Sequence, residues 1–269
     1  MLRQHLEMRA QAHAGLRSEP LGPLDVAVHY AYVLDTTAEL SDRLATTLDA
    51  SERARAARFH FAQDRTHYIA AHSLLRSCLS QIAGSRDWRF TIDRFGKPEI
   101  EPPIDEPPLR FSLSHSHGIV ACAIARGFPV GIDVETVGYD LPFMEIARNY
   151  FSEREYEALL AIERTKRAES FHRIWTLKEA LVKAIGLGLS LPLKEFSFDV
   201  DPPTLTISPH IDEDVAAWQV VAHAPTIRHH IALAIRRPQT CSLAVSWYEV
   251  KLSLLGAPSS EQVHQQPPD

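Results

Sequence analysis

The run IVACAIA at residues 119–125 constrains the fold of this chain more than any other stretch. A half-exposed strand alternates apolar and polar residues. An unbroken apolar run of this length reads as a strand covered on both faces. Gly127, Phe128 and Pro129 break the run, and Gly131-Ile132-Asp133-Val134-Glu135 follows at once. There the pattern is apolar and acidic by turns. Side chains alternate across a strand, so Asp133 and Glu135 share a face, about 7 Å apart along the chain. Two carboxylates placed this way read as a solvated strand face or as a seat for a hard cation. Partners elsewhere in the chain must decide between the two.

The rest of the pattern alternates helices and strands. Residues 1–18 read as a short helix or a loose extension, ended by Pro20, Gly22 and Pro23. A strand is predicted over 25–34, helices over 36–48, 51–59 and 64–82, and a strand over 88–92. Arg94 to Pro98 is a turn by composition, and the acidic, proline-rich stretch up to Pro108 is a loop. A strand over 110–113 leads into a small polar turn, Ser114-His115-Ser116-His117-Gly118. The second half repeats this scheme. Helices are predicted over 143–150, 153–162 and 166–185, the second with Ser152 and Glu155 at capping-box spacing and the third stopped by Gly186 and Gly188. Strands follow over 195–200, 204–207, 217–222, 231–235 and 243–250. The expected fold class is therefore α/β (α+β), with two similar lobes hinged near residues 127–129. Residues 1–23 form an N-terminal extension, 24–128 an N-terminal lobe, 129–252 a C-terminal lobe with the acidic pair, and 253–269 a disordered tail rich in Ser, Gln and Pro.

Composition removes several function classes. A net charge of −6 argues against general nucleic-acid binding. The three cysteines, Cys78, Cys122 and Cys241, are widely spaced and suggest neither a disulfide framework nor a zinc pattern, which fits a reducing cytoplasm. The N-terminal stretch lacks the apolar core of a signal peptide, and no run approaches the ~20 apolar residues of a membrane span.

On a helical wheel of the long helix over 166–185, Phe171, Ile174, Trp175, Leu177, Leu181, Val182 and Ile185 share one broad apolar arc. Glu179 and Lys183 lie one turn apart at its edge, as a surface ion pair or as part of a site. Lys178 falls inside the apolar arc, so its head either snorkels to water or is buried and paired. Asp133, Glu135 and Glu179 together would suit one octahedral cation, with Lys183 beside it for a phosphate. His115 could hold another phosphate. A zinc site at His115 and His117 lacks a third and fourth ligand. There is no phosphate-binding glycine loop, no nucleophile elbow and no dinucleotide fingerprint.

Gly131-Ile132-Asp133-Val134-Glu135, followed after roughly forty residues by Trp175-Thr176-Leu177-Lys178-Glu179-Ala180-Leu181-Val182-Lys183, resembles the paired signature of the Sfp-type 4'-phosphopantetheinyl transferase family. Phe95-Gly96-Lys97-Pro98, Ser112-Leu113-Ser114-His115-Ser116, Phe151-Ser152-Glu153-Arg154-Glu155-Tyr156 and Gly186-Leu187-Gly188-Leu189-Ser190-Leu191-Pro192 resemble further family segments in the same order. The likeness runs over about residues 25–249.

The resemblance implies the 4'-phosphopantetheinyl transferase fold, a pseudo-twofold pair of α/β lobes in one monomeric chain with coenzyme A in the cleft between them. It implies transfer of the phosphopantetheine arm of coenzyme A to a serine of an apo acyl or peptidyl carrier protein, leaving adenosine 3',5'-bisphosphate. Mg2+ on the pyrophosphate would be held by Asp133, Glu135 and Glu179. Lys183 and Lys97 match phosphate contacts, Ser114 and His115 match the segment at the nucleotide end, and Arg55 and Arg76 match basic positions there. Glu155 matches a glutamate proposed in some members as base for the carrier serine, a task a metal-bound water can also serve. Glu52 departs from the pattern, standing where some members have lysine. A non-catalytic carrier-binding module and another metal-dependent phosphate-ester enzyme are the alternatives.

Overall fold

The computed structural model of the protein describes residues 12–84, 87–101, 107–138 and 142–256. Expectations for residues 1–11, for the loop at 102–106 and for the tail at 257–269 lie outside the described residues. The first lobe opens with β1 (His13–Ala14) and β2 (Asp25–Tyr32). Helices α1 (Ala38–Ala45), α2 (Ala50–Ala56) and α3 (Ala62–Ala83) follow, then β3 (Phe90–Ile92), β4 (Pro98–Ile100), β5 (Leu109–Ser116) and β6 (Ile119–Arg126). The second lobe has β7 (Val130–Thr136), α4 (Phe143–Tyr150), α5 (Glu153–Ala161), α6 (Arg167–Ile185), β8 (Phe196–Val200), β9 (Pro203–Ile207), β10 (Trp218–Thr226) and β11 (His229–Arg236). β12 (Ala244–Glu249) closes the set.

The two lobes repeat one topology. In the first, β2 pairs with β6 and β6 with β5; in the second, β7 pairs with β11 and β11 with β10, all antiparallel. Each lobe also carries a two-stranded hairpin, β3–β4 or β8–β9. The chain then returns. β12 pairs parallel with β2, and β1 adds outside it, giving a first sheet ordered β1-β12-β2-β6-β5. The sheets thus do not divide at one point in the chain, since β12 lies late in sequence and joins the earlier sheet.

Every residue from Ile119 to Ala125 is 0% exposed, as the unbroken apolar run requires. Val120, Cys122 and Ile124 face the core under α3, with Leu74 and Leu75 of that helix. Ile119, Ala121, Ala123 and Ala125 face the second sheet and join Ile132, Val134, Ile231 and Leu233. On the far side, α6 covers Ala232 and Ala234 of β11 with Leu177, Ala180 and Leu181. The order of layers is helix, sheet, sheet, helix. Burying each large aliphatic side chain in such layers contributes about 1.5–3 kcal/mol.

Three sequence expectations change. The polar segment at 114–116 is strand rather than turn, because its backbone continues the ladder to Ile119. The second helix starts at Ala50, not 51, because Asp49 and Glu52 form a capping box ahead of it. The ends are less loose than composition suggests. Arg17 is buried by an ion pair to Asp25 at 2.7 Å, and Leu255 packs in the first core. Among the described residues no helix is long and apolar enough to cross a membrane.

Candidate active site

The site begins with a glycine. A Cβ on Gly131 would stand 2.1 Å from the Ala180 carbonyl oxygen and 2.3 Å from the Ala184 nitrogen. Only glycine allows β7 and α6 to touch backbone to backbone here. That contact sets the fourth and fifth turns of α6 over Asp133. Lys183 Nζ donates to Asp133 Oδ1 at 2.7 Å and to Ser114 Oγ at 2.8 Å. Lys183 is paired across the seam with Asp133, not along the helix with Glu179.

Among the described residues β7 pairs with one strand, β11, along one edge. Along the other edge its alternate N–H groups meet side chains instead of a strand. Ile132, Val134 and Thr136 donate to the hydroxyls of Ser112, Ser114 and Ser116 at 3.1, 3.3 and 3.1 Å. Serines at every second position of β5 share one face, so three hydroxyls stand in a row at the spacing of the edge they cap. Two of them also donate onward, Ser114 to Asp133 Oδ1 at 2.8 Å and Ser116 to Glu135 Oε2 at 3.2 Å. Ser112 and Ser116 were not among the expected site residues. The alternation of serines was legible, but the segment read as a turn, where alternation has no meaning.

Electrostatically the seam is crowded with acid. Burial, then the neighbouring Asp133, raises the Glu135 pKa from 4.5 to about 7. Burial and Asp133 also raise Glu179. Asp133 itself is 5% exposed, and its Oδ2 is buried with no hydrogen-bond partner among the described residues. An unpartnered buried carboxylate oxygen beside two acids held toward their neutral form is the donor set a hard cation satisfies. The three acids are not drawn tight. The one set of three His, Cys, Asp or Glu donors within 4.8 Å among the described residues is His29, Cys78 and Cys122, in the first core. There His29 Nε2 accepts from the Arg17 N–H, which puts the ring proton on Nδ1 and leaves no lone pair for a metal.

Lys97 borders the same seam. Its Nζ reaches the carbonyls of Val130 and Ala184 at 3.4 Å, at the start of β7 and the end of α6. A cleft between the lobes is lined by Phe95, Lys97, Ser112, Lys183, Gly186 and Gly188. Ser114 and His115 point to opposite faces of β5. Ser114 meets the acids, while the His115 ring lies 6.0 Å from that of His67 on α3. Arg55 is exposed on α2, with its guanidinium 5.7 Å from the centre of the Tyr68 ring.

Two expected site residues, Glu155 and Arg76, are tied into the protein in the same way. Glu155 is 2% exposed. Its Oε2 accepts from the Ser152 N–H at 2.8 Å and pairs with Lys178 at 2.9 Å, while Oε1 accepts from the Phe198 N–H at 2.8 Å. Lys178, 0% exposed, completes its shell on the carbonyls of Leu193 and Phe196. Burial pulls the Lys178 pKa down against the attraction of Glu155. The snorkelling alternative is excluded, and Glu155, expected as base for the carrier serine, has both carboxylate oxygens bonded inside the protein. Arg76 repeats this in the first lobe. It binds Glu52 and Asp49, each at 2.6 Å, and is itself 7% exposed. Glu52 and Glu155 are both the third residue of a capping box, and each is tied to a buried cation on the long helix of its lobe. Arg76 thus braces α3 against the start of α2 through these two carboxylates.

Residues 129–235 match the family described as the 4'-phosphopantetheinyl transferase superfamily. The 4'-phosphopantetheinyl transferase HetI of Nostoc sp. is 32% identical over 194 residues, covering 71% of this chain and 80% of that protein. The 4'-phosphopantetheinyl transferase Sfp of Bacillus subtilis is 35% identical over 162 residues, 59% of this chain and 69% of that one. Among solved structures, the holo-[acyl-carrier-protein] synthase of Thermotoga maritima matches at 27% identity with a TM-score of 0.33, covering 40% of this chain and 62% of its own.

Proposed function

This chain belongs to the 4'-phosphopantetheinyl transferase family, and we propose that it moves the phosphopantetheine arm of coenzyme A to a carrier-protein serine at the seam between β7 and α6. The observation that carries the siting is Asp133, with one oxygen bonded to Lys183 and Ser114 and the other buried without a partner among the described residues. Asp133, Glu135 and Glu179 would hold Mg2+. That ion would supply charge neutralisation on the pyrophosphate, which is most of what phosphoryl transfer asks of a protein.

The chain's own residues do the rest. Lys183 stands beside Asp133 as an ammonium that can turn to a phosphate oxygen without leaving the cleft. Lys97 is fixed by two carbonyls on the opposite rim and presents a second cation. Together they orient the pyrophosphate between the lobes. Coenzyme A occupies the cleft lined by Phe95, Lys97 and Gly186, and Ser114 holds Asp133 and Lys183 in register. Glu155 acts at a distance, fixing α5 against α6. Both walls of the cleft come from one chain, which suits a monomer, and the three free cysteines suit a reducing cytoplasm.

The test is intact-mass measurement of apo carrier proteins of the fatty-acid, polyketide and nonribosomal-peptide types after incubation with this protein, coenzyme A and Mg2+. At least one carrier should gain one phosphopantetheine. Tight carrier binding with no mass gain on any type would replace this reading with that of a binding module. Release of nucleotide without a carrier would replace it with a phosphate-ester hydrolase.

A further inference from the structure

The three serines of β5 make the same backbone bond and differ in what else they touch. Ser112 caps the Ile132 N–H at 3.1 Å, and among the described residues no carboxylate is bonded to it. Ser116 caps the Thr136 N–H at the same distance and also donates to Glu135 Oε2 at 3.2 Å. Ser114 does both jobs and adds Lys183. A strand edge needs only the first kind of bond. A neighbouring strand could supply it from its own backbone, as β11 does on the other side of β7. Closing the edge with hydroxyls has a different consequence: a hydroxyl retains a proton to give, and Ser114 and Ser116 give theirs to the acidic side chain next to the N–H each caps. The carboxylates are thereby held in one rotamer by the first lobe before any ligand arrives.

We infer that Ser116 is a positioning residue for the cation site, holding the Glu135 carboxylate toward Asp133 from across the interface between the lobes. The inference rests on the magnesium reading and extends it to a residue outside the acidic set. A carboxylate already oriented loses less rotational freedom when it coordinates. Groups that hydrogen-bond metal ligands in this way commonly change metal affinity by about 10–100-fold.

The test titrates the whole protein with Mn2+ alone, following the free-ion paramagnetic signal, and records a melting temperature for each variant. Ser116→Ala should weaken Mn2+ binding by about tenfold. Ser116→Thr, which keeps the hydroxyl, should bind close to wild type. Ser112→Ala removes an equivalent backbone bond and should lower the melting temperature while leaving Mn2+ affinity unchanged. If Ser116→Ala does not fold, Ser116→Cys, which keeps the volume but donates poorly, is read on the same titration. Wild-type affinity in Ser116→Ala, or an equal loss in Ser112→Ala, would overturn the inference while the magnesium reading stands. Absence of Mn2+ binding by the wild type would overturn both.

Discussion

The two lobes are built on one plan and use its central seam in opposite ways. Counting three residues from the last pair of each ladder, Tyr32–Ile119 and Thr136–His229, His29 stands where Asp133 stands, and Cys122 where Ala232 stands. In the first lobe that position is sealed: His29 and Cys122 are 0% exposed and face α3 and Cys78. The outer edge of β2 is closed by the backbone of β12. In the second lobe the same position carries an acid, and the outer edge of β7 is closed by serine hydroxyls. Both lobes keep the brace between capping box and long helix, Arg76 with Glu52 and Lys178 with Glu155. What is shared is what holds the layers together. What differs is the place where one lobe gives up a dry seam for like charges held close, as the raised Glu135 and Glu179 pKa values record.

The comparison is broken most directly by exchanging what the two seams can do. Asp133→Ala and Glu179→Ala should each lower phosphopantetheine transfer about a hundredfold or more while the protein stays folded, because each removes charge placed for the reaction. His29→Ala, at the counterpart position, should leave the transfer rate near wild type and lower the melting temperature. A large rate loss in His29→Ala with none in Asp133→Ala would invert the assignment of roles. The brace, by contrast, should behave alike in both lobes. Lys178→Met and Arg76→Met each take the cation from a buried carboxylate and should destabilise the protein in denaturant unfolding, the first by about 3–5 kcal/mol and the second by less, since His72 still meets Glu52 at 2.8 Å. A loss confined to one lobe would show that the braces are not equivalent.

Smaller effects sharpen the contrast. Ala27 lies five residues from the ladder end in β2, as Gly131 does in β7, and there a Cβ is accommodated at 0% exposure. Gly131→Ala should therefore cost about 1–3 kcal/mol by driving α6 outward, and transfer should fall as Lys183 loses Asp133. Unchanged unfolding and transfer would mean that the close approach has no role. The smallest effect is in pH. The folded-state pKa of Glu135 lies above its ordinary 4.5, at about 7, so the folded protein binds that proton more tightly than the unfolded chain. Its contribution to stability is full below 4.5 and is lost as pH rises through about 7. The melting temperature of metal-free protein should fall over that window, and Glu135→Gln should flatten the fall. A fall of the same size in Glu135→Gln would assign it to other groups.

Much of this was legible in the chain and some could not be. The buried β6 run, the acidic alternation of β7, the Ser152–Glu155 box and the stop at Gly186 are local patterns, and local periodicity reports them. The pairing of Lys178 with Glu155 joins residues on different helices. Sequence flagged Lys178 as a charge in an apolar arc and Glu155 as a cap, without linking them. The same holds for Arg76 and Glu52. The serine alternation of β5 is visible in the chain, but that it caps the edge of the other lobe's strand is a contact between distant segments and is not. Glycine at 131 was visible as a motif letter, but its reason is the Ala180 carbonyl 49 positions later in the chain.

The central claim is that the acidic seam of the second lobe holds the cation that transfer needs. Intact-mass measurement of a competent apo carrier tests it, using wild type and Asp133→Ala that have been stripped with chelator and then given coenzyme A with or without Mg2+. The account predicts a mass gain of one phosphopantetheine for wild type with Mg2+ only, and none for Asp133→Ala under either condition. Full transfer by stripped wild type, or by Asp133→Ala with Mg2+, would contradict it.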